Sequence, residues 1–519
     1  MIQYISIVLF FICFVYVMRY NIHMFQLNGY KNDEHFKWVR KNIKKQGLLF
    51  LMVIPLLCVF LMNEKISLVL NLVFITVCLK YYLYLKKTNN KKKLVYTARV
   101  KRLISTDVMI VLLSILPFLR IDNMADYKVC GIMIMIMLQP YVIILVNIIN
   151  SPIENLVKKY YINDAKKILQ KNKELIVIGV TGSYGKTSVK FYLETLLKER
   201  FEVLVTPESY NTPMGVVKTI RESLKNTHEI FVCEMGARRV GDIKEICDIV
   251  HPKHGIITAV GPQHLETFLS IENISNTKFE LADALPEDGM LVLNGDNELI
   301  LNKSNQYKNV CLYTSSANDV SYKVENITLT PTGTHFTVVA PDGESCEFQT
   351  RLIGEHNVIN ILGAITIANK LGIALKDLKI PVRRIQAVPH RMQIINKNNF
   401  TIIDDAFNSN PAGSKVAVET LKMFNGLRIL ITPGMVELGE MEEELNCQFG
   451  KYAADCCDYI YLVGKKRTEP ILRGITEGKF DLNKCFVCDS FNEAMTKATA
   501  LKCDEHKYIL LENDLPDNY

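Results

Sequence analysis

The stretch TGSYGKTSVK, Thr181 to Lys190, gathers residue types that hold phosphate. Gly182 and Gly185 let successive backbone amides converge on an anion, because neither carries a Cβ to block the approach. Lys186 suits outer phosphate oxygens, and the Thr187 hydroxyl suits a magnesium ion. The general pattern places four residues between its first glycine and Gly-Lys. Val180 occupies that first position here and Gly179 falls one residue early, so the loop is a compressed variant. A β-type segment, Leu175 to Val180, leads in and a helical pattern leads out from Lys186, adding the positive end of a helix dipole. Such a cradle suits a transport pump or an ATP-driven synthetic enzyme, and its neighbours must decide between them.

Three downstream groups could complete a phosphoryl-transfer site. Glu234 ends a β-type segment in VCEMGAR, where a carboxylate could hold a cation near the cradle. His264, in TAVGPQHLETF, follows the next strand, and strand tips are where parallel sheets build sites. Lys278, in SNTKFELADAL, lies in a helical pattern among acidic and apolar residues. A transporter ATPase would need a signature helix and a second acid after the strand-end acid. Neither is found.

The elements that must position these groups alternate as βαβ units require. β-type runs fall at Leu175 to Val180, Ile230 to Cys233, Gly255 to Val260 and Met290 to Leu293. A second set falls at Phe400 to Ile403, Arg428 to Thr432, Tyr459 to Val463 and Tyr508 to Leu511. Val320 to Leu352 alternates polar and apolar residues like a small antiparallel insert, and two prolines with a basic pair mark a join near Lys379 to Pro389. The expected class is a P-loop-type parallel-sheet α/β domain, residues 174–380, followed by a Rossmann-like domain, residues 381–519. A polar connector, residues 151–173, precedes both.

The first 150 residues differ in character. They hold 19 Lys+Arg against 6 Asp+Glu, whereas the remainder holds 42 basic and 48 acidic residues. The overall charge of +7 therefore belongs to the first part, and the acidic balance of the rest excludes a nucleic-acid partner on electrostatic grounds. Five apolar runs, Ile2 to Met18, Leu48 to Met62, Ile66 to Leu85, Leu103 to Leu119 and Cys130 to Ile149, predict an α-helical transmembrane module of about five spans, or four if the short second run is re-entrant. No basic region precedes the first run, so it reads as an anchor rather than a cleaved signal. The segments Arg19 to Gly47, with seven Lys/Arg, and Lys86 to Ser105, with eight, predict basic loops on the cytosolic side. The amino terminus then lies outside, and everything after Asn150 lies in the cytosol of a multi-pass membrane protein. The 14 scattered cysteines fit a reducing compartment, and the pair Cys485-Phe-Val-Cys488 has no second pair with which to bind zinc.

From Leu175 to Leu511 the chain resembles the Mur ligases, ATP-dependent enzymes that add amino acids to peptidoglycan precursors, and within them the members that add D-alanyl-D-alanine. Eight motifs match in order: GVTGSYGKTSVK, ESYNTPMGV, FVCEMGAR, GPQHLETF, the segment around Lys278, GEHNVINILGA, AVPHRMQII and IIDDAFNSNPAG, with PGMVELG beyond. The resemblance implies ATP and two magnesium ions as cofactors. It puts Gly182, Ser183, Gly185, Lys186, Thr187, Asn360, Arg391, Asp405 and Asn408 at the nucleotide. His356 and Asn357 are further adenine-side candidates, and Asp404 could substitute for Asp405. It assigns Thr187, Glu234, His264 and Lys278 to metal, Lys278 as a carbamate, and names Lys186, His264 and Lys278 as catalytic. Asn211 and Thr212 fall in an Asn-rich segment beside the substrate. Membrane runs stand where the family carries a UDP-sugar-binding domain, and YILLENDLPDNY replaces a Lys-Gly-Ser-type ending. Those departures predict an amino acid or dipeptide donor joined to a membrane-proximal acceptor, such as a lipid-linked glycan or peptide, at the bilayer. A polyglutamate-forming ligase is the alternative.

Overall fold

A computed structural model describes residues 2–42, 76, 80, 93–119, 125–208, 210–316, 322–407 and 410–513. They form two compact units, one built from residues up to Tyr160 and one from Tyr161 onward.

The first unit is helical. Its helices are Ile2–Leu27, Asn32–Lys41, Ala98–Leu119 and the start of Ala125–Lys171, which continues through Pro140 and Pro152. Phe14, Ile22, Val100, Leu103 and Ile143 pack into its core. Polar ties cross between the helices: Arg102 Nε meets Glu154 Oε1 at 2.7 Å, Asn147 donates to Asn32 at 3.0 Å, and Gln139 donates to the buried Asp107. His35 Nε2 takes the Pro140 carbonyl at 3.1 Å. The expected connector 151–173 is largely the end of the long helix rather than a separate segment. Among the described residues one helical stretch, Leu138–Lys171, is long and apolar enough to cross a membrane by length and composition. The expected run Leu48 to Met62, nearly all of Ile66 to Leu85, and residues 43–47 and 86–92 of the two basic loops lie outside the described residues.

The second unit holds two sheets in series. The first contains β1 (Ile176–Thr181), β2 (Val203–Val205), β3 (Ile230–Glu234), β4 (His254–Ile257), β5 (Leu291–Asn294), β6 (Val310–Thr314), β7 (Tyr322–Thr330), β8 (Gly333–Val339) and β9 (Ser345–Thr350). Their order is β2-β3-β1-β4-β5-β6-β7-β8-β9. Pairing is parallel through β7, and β7-β8-β9 run antiparallel. The expected antiparallel insert is thus present, but it extends the same sheet. The second sheet, of β10 (Gln393–Asn396), β11 (Phe400–Asp405), β12 (Leu427–Thr432), β13 (Tyr459–Val463), β14 (Cys485–Cys488) and β15 (Lys507–Glu512), has the order β10-β11-β15-β12-β13-β14. All its pairs are parallel except β10-β11. Helices cover both faces of each sheet, as parallel strands buried on two sides require.

Strand register explains why chemistry collects at one edge. β1 lies between β3 and β4, with Val180 opposite Glu234 and Thr181 opposite Ile257. The carboxyl ends of three neighbouring strands therefore open at the same level, at the point where the chain turns to opposite sides of β1, and that is where parallel sheets bind ligands. On one face Tyr192, Leu193, Leu196, Ile361 and Ile365 from two helices pack on the sheet. On the other, Phe231, Ile243, Ile246 and Leu281 do so. Phe231 is fully buried, held between Val177 of β1 and Leu204 of β2. We expect Phe231→Ala to cost about 3–5 kcal/mol through lost burial and the cavity left behind. A lowered thermal unfolding midpoint checks this, and an unchanged midpoint would show that the sheet does not depend on that face.

Candidate active site

The loop from Gly182 to Gly185 is held by contacts that leave little room for any other residue. Gly182 and Gly185 have φ of 150° and 80°. A Cβ on Gly182 would stand 2.1 Å from Thr258 Oγ1, and one on Gly185 2.6 Å from Asn360 Oδ1. Ser183 donates its amide to the Ala259 carbonyl at 2.6 Å and its hydroxyl to the Gly261 carbonyl at 3.0 Å, so this residue braces the loop against the segment after β4. Tyr184 does the same through its hydroxyl on the Pro262 carbonyl at 2.8 Å. Lys186 opens the following helix, Lys186–Leu197, and folds back to donate to the carbonyls of Gly182 at 2.7 Å and Ser183 at 3.1 Å. Burial lowers its ammonium pKa to about 8, with Glu234 partly offsetting the shift and Arg391 adding to it.

Glu234 is the junction of the site. Its Oε1 accepts from the Thr187 hydroxyl at 3.0 Å and from Asn211 Nδ2 at 3.1 Å, and its Oε2 lies 3.0 Å from Lys190 Nζ. Burial works to raise its pKa, but the Lys190 and Lys186 ammoniums outweigh that and hold the carboxyl ionised, below the usual range. Lys190 also donates to the Glu208 carbonyl, in the segment that leads to Asn211. Thr212 does different work: its hydroxyl accepts from the Gly215 amide at 3.3 Å and caps the helix Pro213–Ser223. Lys190 was missed in the sequence. Its signal was position, since it lies one helical turn after Lys186 on the buried side of an amphipathic helix.

His264, Lys278 and Arg391 approach Lys186 from other elements. Ser270 caps the helix Ile271–Asp283 by accepting from the Asn273 amide at 3.1 Å. Lys278 lies on that helix in the stripe of Ile274 and Leu281, which buries it in the core. Among the described residues it has no hydrogen bond or ion pair; its Nζ stands 5.9 Å from the Phe268 ring centroid. Burial, aided by repulsion from Lys186, holds its pKa well below that of an ordinary lysine. His264 has φ of 53°, and its Nδ1 meets Glu437 Oε2 at 2.5 Å. Burial lowers its pKa, and the Glu437 bond offsets this in part. Arg391 Nη2 stands 3.5 Å from Thr187 Oγ1, joining the second domain to the phosphate loop.

Beyond Arg391 opens a cavity of about 320 Å³ lined by Tyr184, Gly185, Thr258, Asn360, Arg391, Asp405, Phe407 and Asn410, among others. It touches the phosphate loop at one end and both domains along its walls. Asn360 and His356 both line it. Asn357 also lines it, but its amide is engaged elsewhere: Oδ1 accepts from Tyr192 at 2.8 Å and Nδ2 donates to Ile353 at 2.9 Å. Asp405 accepts from the Met392 amide at 3.0 Å, and burial raises its pKa to about 6. Asp404 points instead to His390 Nδ1 at 2.7 Å, so the two acids have separate partners. Asn408 lies outside the described residues. Sequence reading also missed Glu437, which is 173 residues from the histidine it meets.

Fold and site together define a two-domain α/β protein with a phosphate loop at the switch point of its first sheet. Residues 180–368 match the Mur ligase middle domain and residues 390–512 the Mur ligase, glutamate ligase domain. The chain belongs to the Mur ligase family. Over 294 residues it is 32% identical to UDP-N-acetylmuramoyl-tripeptide–D-alanyl-D-alanine ligase of Bacillus subtilis, covering 56% of this chain and 63% of that one. The chain thus spans under two thirds of that relative's length. The crystal structure of the MurF ligase from Thermotoga maritima in complex with ADP aligns with a TM-score of 0.62 at 25% identity, over 70% of this chain and 81% of that one. Folylpolyglutamate synthase of Mycobacterium tuberculosis shares the fold at 16% identity and a TM-score of 0.52, over 71% of this chain and 96% of that one. Family membership removes the pump reading.

Removing the ammonium beside Glu234 leaves a buried carboxylate without its ion-pair partner. We expect Lys190→Met to cost about 3–5 kcal/mol at neutral pH. Because the folded Glu234 pKa is depressed, the stability it contributes is full above the ordinary glutamate value of about 4.3. It is lost as pH falls through the lower folded value. Thermal midpoints of both proteins against pH check this; equal midpoints at neutral pH would refute it.

Proposed function

We propose that this protein is an ATP-dependent ligase that joins the amino group of an amino acid or dipeptide to a carboxylate of a cell-wall or other cell-surface precursor. The observation that carries this reading is the grouping of Thr187, Glu234, His264, Lys278 and Arg391 around Lys186, at one end of the cavity. A carboxylate is a poor acyl donor, so one of its oxygens attacks the γ-phosphorus of ATP, the bond to the bridging oxygen breaks, and ADP leaves. The neutral amine nitrogen then attacks the acyl phosphate carbon, the C–O bond breaks, phosphate departs with the former carboxylate oxygen, and the nitrogen gives up one proton to leave the amide. Phosphoryl transfer of this kind needs its charge held, which is work for Lys186 and Arg391. The adenine side is given to Asn360 and His356, and Asp405 stands at the cavity wall between the domains.

The residues present fit magnesium of the kind that arrives with nucleotide. Among the described residues no group of three or more His, Cys, Asp or Glu forms a ready-made cage. Thr187 and Glu234 instead supply a hydroxyl and one ionised carboxylate, as suits Mg²⁺ that keeps phosphate oxygens and water as its other ligands. His264 and Lys278 would hold a second ion. When bound, magnesium supplies charge neutralisation to the phosphate oxygens. Lys278 fits the carbamate reading because its buried amine favours the neutral form, which can add CO₂ and release a proton to leave an anionic ligand. Asn211 holds Glu234 from the substrate-side segment, and Thr212 fixes the helix that follows.

The helical unit is assigned to the bilayer as a multi-pass module, with the amino terminus outside and the two sheet domains cytosolic. The basic excess of residues 1–150 and the apolar length of Leu138–Lys171 support that assignment. It would bring the ligase to a membrane-proximal, lipid-linked acceptor.

Phosphate release from ATP by detergent-purified protein, screened against amino acids including glutamate, dipeptides and lipid-linked acceptors, tests the proposal. Release should require both an acceptor carboxylate and an amine and should fall at least about 100-fold in Lys186→Ala, as loss of a transition-state charge contact does. Release without an amine, or undiminished in the variant, would contradict it. Release specific to glutamate chain extension would select a polyglutamate-type ligase. For the carbamate, Lys278→Ala should lose activity and regain part of it with added short carboxylic acids; full activity without them would refute the role.

A further inference from the structure

The contact between His264 and Glu437 has features that a surface ion pair lacks. It is short, at 2.5 Å, and both side chains are largely buried, at 17% and 19% exposure. Both residues hold left-handed backbone, with φ of 53° and 65°. Non-glycine residues adopt that conformation at a cost and keep it where surrounding structure imposes it, most often at functional sites. Here two such residues meet, each supplied by a different domain. His264 begins the short helix Leu265–Phe268, and Glu437 lies in the turn after β12, ahead of the turn Gly439–Met441. Arg238 Nη2, 3.9 Å from Glu437 Oε1, is the third group facing the pair.

The contact decides which edge of the imidazole is left for another partner. Nδ1 is taken up by Glu437 Oε2 at 2.5 Å, which leaves Nε2 as the other ring nitrogen. A carboxylate bonded to one ring nitrogen commonly orients a histidine whose other nitrogen takes a metal ion. Resting on the ligase reading above, we infer that Glu437 is a positioning residue for His264, so that the second cation site is complete only when the carboxy-terminal domain is docked on the phosphate loop. Domain docking and occupation of that site are then one linked event, and neither strained turn needs a separate explanation.

Mn²⁺ binding to the full-length protein in detergent, followed by electron paramagnetic resonance with ADP present, tests the inference without using turnover. The wild type should bind two Mn²⁺. Glu437→Ala should weaken one of them about 10–100-fold, the range for loss of a partner that orients a ligand, and leave the other within about two-fold. Glu437→Gln, which can still accept through its amide oxygen, should retain most of the affinity and guards against a folding defect in the alanine variant. His264→Ala should lose the same ion, and the double variant should lose no more than His264→Ala alone. Two Mn²⁺ bound normally by Glu437→Ala, or additive losses in the double variant, would overturn the inference. So would a wild type that binds a single Mn²⁺, and that result would leave intact the ligase reading, which rests on the Thr187 and Glu234 site.

Discussion

The ion pair between Lys190 and Glu234 is the constraint on which the phosphate site depends. A carboxylate buried at the end of β3 is tolerated because an equally buried ammonium lies 3.0 Å away and because Thr187 and Asn211 donate to its other oxygen. That one group ties together the helix after the phosphate loop, the central sheet and the segment leading to Asn211. Through Thr187 it also reaches Arg391 of the second domain. Positive charge then exceeds negative charge around it, with Lys186, Lys190 and Arg391 facing Glu234. A polyphosphate is the natural counterion for such a set, and a magnesium ion enters it more readily as part of a nucleotide complex than alone.

The second domain contributes by position rather than by bulk. Arg391 and Asp405 lie on either side of Met392, whose amide donates to Asp405, so the chain entering the second sheet holds a cation and an acid toward the cavity. Asn410 caps the helix Pro411–Leu421 and lines the same cavity. Glu437 extends the reach of this domain to His264. The cavity and the phosphate-loop end of the site are both shared between the two sheet domains.

Much of this was legible in the residue pattern. Period and turn signals located four strands of each sheet within a few residues, because buried parallel strands are continuous apolar runs. Glu234 was legible as a charge at the end of an apolar strand, whereas Lys278, among acidic and apolar residues of a helical pattern, was singled out by the family resemblance. Short strands such as Val203–Val205 and Val310–Thr314 were missed because three to five residues carry too little pattern. The helix Ala125–Lys171 ran through two prolines where the sequence suggested a boundary. Partners far apart in sequence were not legible at all. Nothing local marks Glu437 as the neighbour of His264, and the engagement of Asn357 with Tyr192 depends on how two helices pack.

Transfer of oxygen from the substrate carboxylate to phosphate tests the central claim most directly. With the acceptor carboxylate labelled with ¹⁸O, ligation through an acyl phosphate must deliver one labelled oxygen to each phosphate released, detectable by mass spectrometry. Labelled phosphate formed in step with amide product is the predicted result. Unlabelled phosphate accompanying amide formation would contradict the account.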